Sequence, residues 1–288
     1  MNKWVILLIM LVFFLGCKKE KKESGTYFKG KLTVLTDDSF KSVTEALADG
    51  YRISYPESEI TIKTIKEDLG FLELLNGNAK IIVMSRDLSE KEIEEYKKQT
   101  DLEFQPAKFG ADAVAFVVPA DSPKQSVSLE EIKEGLMSDA KPFVFDGTNS
   151  SNLNFVAQKI GKKPSELKFS IINGNRNVIQ ELGKYPGKIG VIGYNTISRP
   201  YDKESENLRN KIKVLPVTEN GKAYEINSEN LRLMQYPFTR ILYFLVNEGG
   251  FDMASGFVRY SCTMIGQKIV QKEGLQPYNM YGREVQMR

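Results

Sequence analysis

The chain has 288 residues, with 40 Lys and Arg against 37 Asp and Glu, a formal net charge of +3, and 41% hydrophobic and 27% charged residues. That composition excludes a disordered or multi-spanning chain, and a charge so near balance gives no general field for nucleic acid or an anionic membrane. Histidine is absent, which removes His-based triads, imidazole proton shuttles and most catalytic zinc sites.

The first element is a leader. Lys3 precedes an unbroken apolar run of 13 residues, Trp4 to Gly16. A membrane-crossing helix needs about 20, so the run has the length of a signal h-region. It ends Phe14-Leu15-Gly16-Cys17 and resembles a bacterial lipobox, with Phe14 where Leu is more usual. Residues 1–16 are therefore expected to be a signal peptide and Cys17 a lipidated N-terminus. Residues 17–28, opening with Lys18-Lys19-Glu20-Lys21-Lys22-Glu23, read as a flexible tether. The second cysteine, Cys262, is expected to be a lone buried thiol.

From Lys31 onward the pattern is regular. Lys31–Thr36 alternates as a strand, Phe40–Tyr51 carries apolar residues at helical spacing, and Glu59–Thr64 alternates again. Glu67–Asn76 reads as a helix, Ala79–Met84 as a buried strand and Glu90–Lys98 as a charged helix. Ala111–Val118 is a mostly apolar strand, and Ser128-Leu129-Glu130-Glu131 is a capping box that opens a helix. Pro142–Asp146 (strand), Ser151–Ile160 (helix), Asn175–Lys184 (helix capped by Asn175) and Lys188–Tyr194 (strand) follow, then a strand at Ile212–Val217. Tyr236–Val246 is ambiguous, and Met253–Lys272 reads as one long helix closed by Gly274. Stretches 120–127, 197–211 and 218–230 read as surface excursions. Strands alternating with helices of about ten residues mean βαβ units and a largely parallel sheet. No linker divides the chain, so two lobes are expected to share it discontinuously, with crossings near residues 106–118 and 232–244.

Three polar loops follow strands and open helices: Thr36-Asp37-Asp38-Ser39-Phe40, Ser85-Arg86-Asp87 and Asp146-Gly147-Thr148-Asn149-Ser150-Ser151-Asn152. Helix starts present free N–H groups at a positive dipole end, and Ser, Asn and Arg add side-chain donors. Taken alone, Asp38-Ser39 and Ser150-Ser151 read as ordinary N-caps, which are far commoner than ligand sites, and it is the three loops together that point to one cleft.

In order and spacing these segments resemble the phosphate-binding lipoproteins of bacterial ABC importers, in particular a phosphate-binding-like branch typical of Bacteroidetes. The resemblance runs through TVLTDDSF at 33–40, VMSRDLSEKE at 83–92, FGADAVAFVVPADSP at 109–123, SLEEIKEGL at 128–136, FVFDGTNSSN at 143–152, YPGKIGVIGYNTIS at 185–198, QYPFTRILYFLV at 235–246 and GQKIVQKEGLQP at 266–277. It implies an α/β, two-lobed periplasmic-binding-protein-like fold of class II, two βα domains with a cleft between them. Lobe 1 is expected at 29–106 plus 235–288 and lobe 2 at 107–234. The ligand-binding residues it implies are Asp38, Ser39, Phe40, Glu67, Ser85, Arg86, Asn149, Ser150, Ser151 and Asn152.

The sequence also departs from the family pattern. The second-lobe loop lacks the family's Arg, Ser85-Arg86 stands where the family has Ser-Asp, and Lys66-Glu67-Asp68 replaces a Gly-Ser loop. Recognition of a protonated phosphate needs a carboxylate acceptor. Asp38 and Glu67 are both candidates, and a Glu67–Arg86 ion pair is the alternative reading. The resemblance implies a monomeric, lipid-anchored, extracytoplasmic solute-binding protein that captures inorganic phosphate or a similar oxyanion and hands it to an ABC permease. No covalent chemistry, cofactor, metal or nucleic acid is expected. The alternative is a surface or interaction lipoprotein of the same fold with a degenerate or altered oxyanion site.

Overall fold

The protein is described here by a computed structural model covering residues 26–280. The leader and Cys17 lie outside the described residues. Tyr27 and Phe28, at the end of the expected tether, pack against the folded body. The Tyr51 hydroxyl donates to Tyr27 O, and the Phe28 ring meets Tyr55 at 4.7 Å.

The chain runs β1 (Gly30–Thr36), a 3-10 turn (Asp38–Phe40), α1 (Lys41–Ser54), β2 (Ser58–Thr64), α2 (Glu67–Leu75), β3 (Ile81–Met84), α3 (Glu90–Thr100) and β4 (Ala107–Pro119). Next come β5 (Val127–Ser128), α4 (Leu129–Met137), β6 (Phe143–Phe145), α5 (Ser151–Lys159), β7 (Ser170–Ile171), α6 (Asn175–Glu181) and β8 (Ile189–Gly193). Then α7 (Lys203–Arg209), β9 (Ile212–Val214), β10 (Val217–Glu219), β11 (Lys222–Tyr224), α8 (Ser228–Arg232), β12 (Thr239–Val246), α9 (Met253–Cys262), α10 (Met264–Lys272) and β13 (Gln276–Pro277).

One sheet of order β2-β1-β3-β12-β4-β8-β6-β7 runs through the molecule. Pairs β1/β2, β1/β3, β6/β7 and β6/β8 are parallel, as crossover helices require. β12 and β4 are antiparallel to their neighbours. The first half of β4 pairs with β12, ending at Ala113 opposite Thr239, and from Val114 its partners are β8 and β9. One strand therefore belongs to both lobes of the fold. Val114 N donates to Phe238 O at 3.0 Å, and the buried Tyr236 hydroxyl to Val114 O at 2.9 Å, which ties the two crossings together.

Each lobe buries apolar side chains on both faces of its half-sheet. In the first, Leu32, Val34, Phe109 and Phe244 pack with Leu47, Tyr51 and Phe257, while Ile82, Met84 and Tyr243 pack with Phe71, Leu74 and Tyr96. In the second, Phe116, Phe143 and Phe145 pack with Ile132, Leu136 and Val156, while Val117 and Val144 pack with Val178, Ile179 and Leu208. The near-continuous apolar run of β4 follows from cover on both faces.

Several elements differ from expectation. The long helix expected at Met253–Lys272 is two helices broken at Thr263, whose backbone is extended (φ −76°, ψ 168°). Gly266 lies so close to the end of α9 that a Cβ there would sit 2.4 Å from Tyr260 O, so the two helices fold back tightly on each other. The ambiguous 236–246 segment is a strand from Thr239, and Ile212–Val217 splits into β9 and the start of β10. The excursion at 197–211 contains α7. The one at 218–230 contains the β10–β11 hairpin, which joins β5 in a small second sheet. Gly174 (φ 86°), not Asn175, occupies the cap of α6, which frees the Asn175 side chain. Cys262 is half-buried rather than buried, with Sγ 3.7 Å from Lys108 O. Among the described residues, no helix is long and apolar enough to cross a membrane.

Candidate functional site between the lobes

The carboxyl ends of β1, β2, β3 and β6 meet where the lobes face each other, with the starts of α2 and α5, as crevice sites do in open α/β sheets. At their centre is Asp37, which is buried. Its Oδ1 accepts from Ser39 N at 3.0 Å. Its Oδ2 accepts from Glu67 N, the first residue of α2, and from Ser151 N, the first residue of α5, each at 3.2 Å. Glu67 belongs to the first lobe and Ser151 to the second, so one carboxylate bridges the cleft.

A ring of further contacts surrounds it. Lys66 Nζ crosses to Asp146, reaching its carbonyl at 2.9 Å and its Oδ2 at 2.8 Å. Asp38 Oδ2 accepts from Asn175 N at 2.8 Å and from Asn175 Nδ2 at 3.0 Å. Asn175 Nδ2 also reaches Ser39 Oγ at 3.2 Å, and Asn175 Oδ1 accepts from Gly193 N and Asn152 Nδ2 at 2.9 Å each. At the rim, Asp68 N donates to Asn149 O, and Asp87 and Gln158 exchange two bonds.

Arg240, on β12 at the crossing, is almost wholly buried. Its Nε and Nη2 lie 3.0 and 2.8 Å from Asp112 Oδ2, and Asn195 N occupies Asp112 Oδ1 at 3.0 Å. The guanidinium stacks over the Phe40 ring at 4.5 Å, leaving Nη1 with a long 3.5 Å contact to Ser151 Oγ. A guanidinium fixed through two nitrogens and an aromatic face aims its remaining donor with little entropy left to lose.

The remaining expected site residues fall as follows. Ser39, Glu67 and Ser151 meet at Asp37. Phe40 lies in the core beneath Arg240, and its N–H is turned to Asp37 O at 3.0 Å. Ser85 donates its N–H and hydroxyl to Glu67 Oε1, at 2.7 and 2.8 Å. Arg86 turns away from the centre: Nη2 meets Asp68 at 3.1 Å and Glu92 at 2.7 Å, and Nε lies 3.8 Å from Glu67 Oε2. The Glu67–Arg86 pair is thus present, and Arg86 is held by carboxylates. Ser150 caps α5, accepting from Leu153 N, and Asn149 is exposed with a left-handed backbone (φ 57°). Asn152 Nδ2 also holds Asp146 Oδ1 at 3.1 Å. Asn152 Oδ1 and Glu67 Oε2 are buried without a hydrogen-bond partner.

The electrostatics follow from burial. Glu67 is pushed up to about 7, mainly by loss of water, with Arg86 opposing and Asp37 reinforcing. Burial also raises Asp146, and the charge of Asp37 adds to the rise. Burial would depress Lys66, yet the charges of Asp146, Asp37 and Asp38 hold it above its ordinary value. Asp112 is raised by burial against the pull of Arg240.

Asp37, Lys66, Asp112, Asp146, Asn175 and Arg240 were not among the expected ligand residues. Asp37 lies inside the quoted TDDSF loop and Arg240 inside QYPFTR, but nothing local separates Asp37 from Asp38 or marks Arg240 as buried.

A family model described as a PBP superfamily domain matches residues 21–263. The phosphate-binding protein PstS of Borreliella burgdorferi is 23% identical over 297 residues, covering 95% of this chain and 98% of that protein. A substrate-binding protein from Clostridium perfringens, solved with bound phosphate, superposes with a TM-score of 0.70 at 20% identity, over 86% of this chain and 99% of that one. An ABC-type phosphate transport receptor from Vibrio cholerae gives a TM-score of 0.64 at 16% identity, over 86% of this chain and all of that one. With the family match spanning most of its length and the two-lobed architecture shared with these structures, the chain belongs to the PBP superfamily.

Proposed function

We propose that this chain is a solute-binding protein of the phosphate-binding kind, which closes its two lobes on an oxyanion without covalent chemistry and delivers it to an ABC importer. The observation that carries this reading is the convergence of the Ser39, Glu67 and Ser151 N–H groups, from both lobes, on a single pair of carboxylate oxygens. Donors placed to hold one anion are the physical requirement for clamping another. The names and the bound phosphate of the relatives point to inorganic phosphate as that solute. Of the two candidate acceptors, Glu67 is favoured. Its Oε2 is buried and takes no hydrogen bond, meeting only the Arg86 charge at 3.8 Å, whereas Asp38 Oδ2 already takes two donors from Asn175. An acceptor there receives the proton of hydrogen phosphate and repels sulfate.

The lobes are read as 29–106 with 235–288, and 107–234, which is consistent with the change of partners within β4. A signal peptide at 1–16 and lipidation at Cys17 would hold the monomer outside the cytoplasm, beside its permease. Calorimetric titration with phosphate and with sulfate tests the reading. Saturable phosphate binding with little sulfate competition is expected, and no heat with millimolar phosphate would count against it.

The second reading, an altered or degenerate oxyanion site on the same fold, is favoured by one observation. The converging N–H groups are already occupied, and Asp37, Asp38, Glu67, Asp112 and Asp146 outnumber Lys66, Arg86 and Arg240 around them.

A further inference from the structure

The acceptor at the centre of the site is part of the chain. Ser39 N–H to Asp37 is a local cap, two residues away. Glu67 and Ser151 are 30 and 114 residues distant. Each opens a helix of nine residues, α2 and α5, and the α2 cap residue, Lys66, supplies no side-chain acceptor of its own. One carboxylate thus takes the first N–H of each of two nine-residue helices from opposite lobes, as a bound anion would. Three groups beside it remain under-used: Glu67 Oε2 and Asn152 Oδ1 are buried without a hydrogen bond, Glu67 Oε2 meeting only the Arg86 charge at 3.8 Å, and Arg240 Nη1 has only its 3.5 Å contact. An acceptor oxygen buried without a donor costs free energy unless something fills it. Two acceptors and one donor are the complement that a protonated oxyanion meets, while the N–H donors of the site are spent internally.

We propose that Asp37 is a built-in occupant of the oxyanion site: its carboxylate takes the N–H groups on which a free oxyanion would sit and draws the lobes together without solute. Asp37 then sets the affinity of the site. A tethered carboxylate competes at high effective concentration, and the binding-competent state is only the fraction in which it has swung away, so apparent affinity falls by that fraction. Lys66 stabilises the occupied state, because it pairs with Asp146 across the cleft and lies within electrostatic reach of Asp37. This inference rests on the oxyanion reading above and names the residue that limits it.

The test compares wild type, Asp37→Ser and Asp37→Asn by calorimetry with inorganic phosphate and by small-angle scattering with and without it. Wild type is expected to be closed without solute. Asp37→Ser is expected to open without solute, to bind phosphate at least about tenfold tighter than wild type and to close on it. Asp37→Asn, which keeps the shape and one acceptor oxygen, falls between them. Formate, a free carboxylate small enough for the vacated position, is expected to raise the thermal midpoint of Asp37→Ser and leave wild type unmoved. Equal phosphate affinity in wild type and Asp37→Ser, with solute-driven closure in both, overturns the built-in occupant and leaves the oxyanion reading standing. Absence of phosphate binding in both, with Asp37→Ser folded, overturns both.

Discussion

Two guanidiniums flank the cleft and spend their donors in opposite ways. Arg86, on a βα loop at the rim, is ringed by Glu67, Asp68 and Glu92. Arg240, at the start of β12 beside the crossing, is pinned by one carboxylate, Asp112, and stacked on Phe40. The rim arginine sits next to a helix start rich in acidic residues and is neutralised locally. The crossing arginine is buried with a single carboxylate partner, and its Nη1 keeps only a long 3.5 Å contact to Ser151 Oγ. A loop position thus makes an arginine conspicuous in sequence, while burial and a lone counter-ion make one useful for holding a small anion.

The comparison breaks most directly at Asp112. Asp112→Ala leaves the Arg240 guanidinium buried without its partner and is expected to cost about 3–5 kcal/mol in urea denaturation. The double variant Asp112→Leu/Arg240→Met should recover much of that loss. If Asp112→Ala costs no more than Glu92→Ala, the contrast between the two arginines fails.

Next in size is the pH dependence of the rim. The folded-state value of Glu67, about 7, lies above its unfolded one, so the native state binds that proton more tightly. The stability it supplies is therefore complete below the ordinary carboxylate range and declines as pH rises toward about 7. The decline amounts to roughly 3 kcal/mol at most, and the curve is flat beyond it. Glu67→Gln should remove this limb. An unchanged slope would mean that Arg86 neutralises Glu67 fully.

Smaller is the binding difference. In the Asp37→Ser background, Arg240→Met is expected to weaken phosphate binding about tenfold, or 1.4 kcal/mol, while Arg86→Gln stays within about twofold. The reverse order in a calorimetric titration would move the anion to the rim. Smallest is Gln158→Ala, which removes the exposed reciprocal pair with Asp87. A loss of about 0.5–1 kcal/mol is expected, read as a shift in the urea midpoint.

Much of the architecture was legible from local pattern. The alternation in β1 and β2, the helical spacing in α1 and the Ser128 cap, whose Oγ takes Glu131 N at 3.0 Å, each act within a few residues. The split of the last long helix was not, because residues 253–272 carry no Pro. At the break Thr263 is extended, and Gly266 lies against the carbonyls that end α9, where no side chain would fit. Within the site, Ser39 and Ser151 were conspicuous as caps, but Asp37 and Asp38 are equivalent in composition. The turn after β1 sends Asp37 inward to Glu67 and Ser151, and Asp38 across to Asn175.

The amino-acid order by itself determined the alternation of strands and helices and the polar loops at their junctions, since hydrophobic period and capping chemistry operate over neighbours along the chain. Only the tertiary structure decided which carboxylate receives the converging N–H groups, that Arg86 is consumed and that Arg240 keeps a donor. The partners in those contacts lie up to 128 residues apart. Lobe packing, rather than any local preference, sets the distances between them.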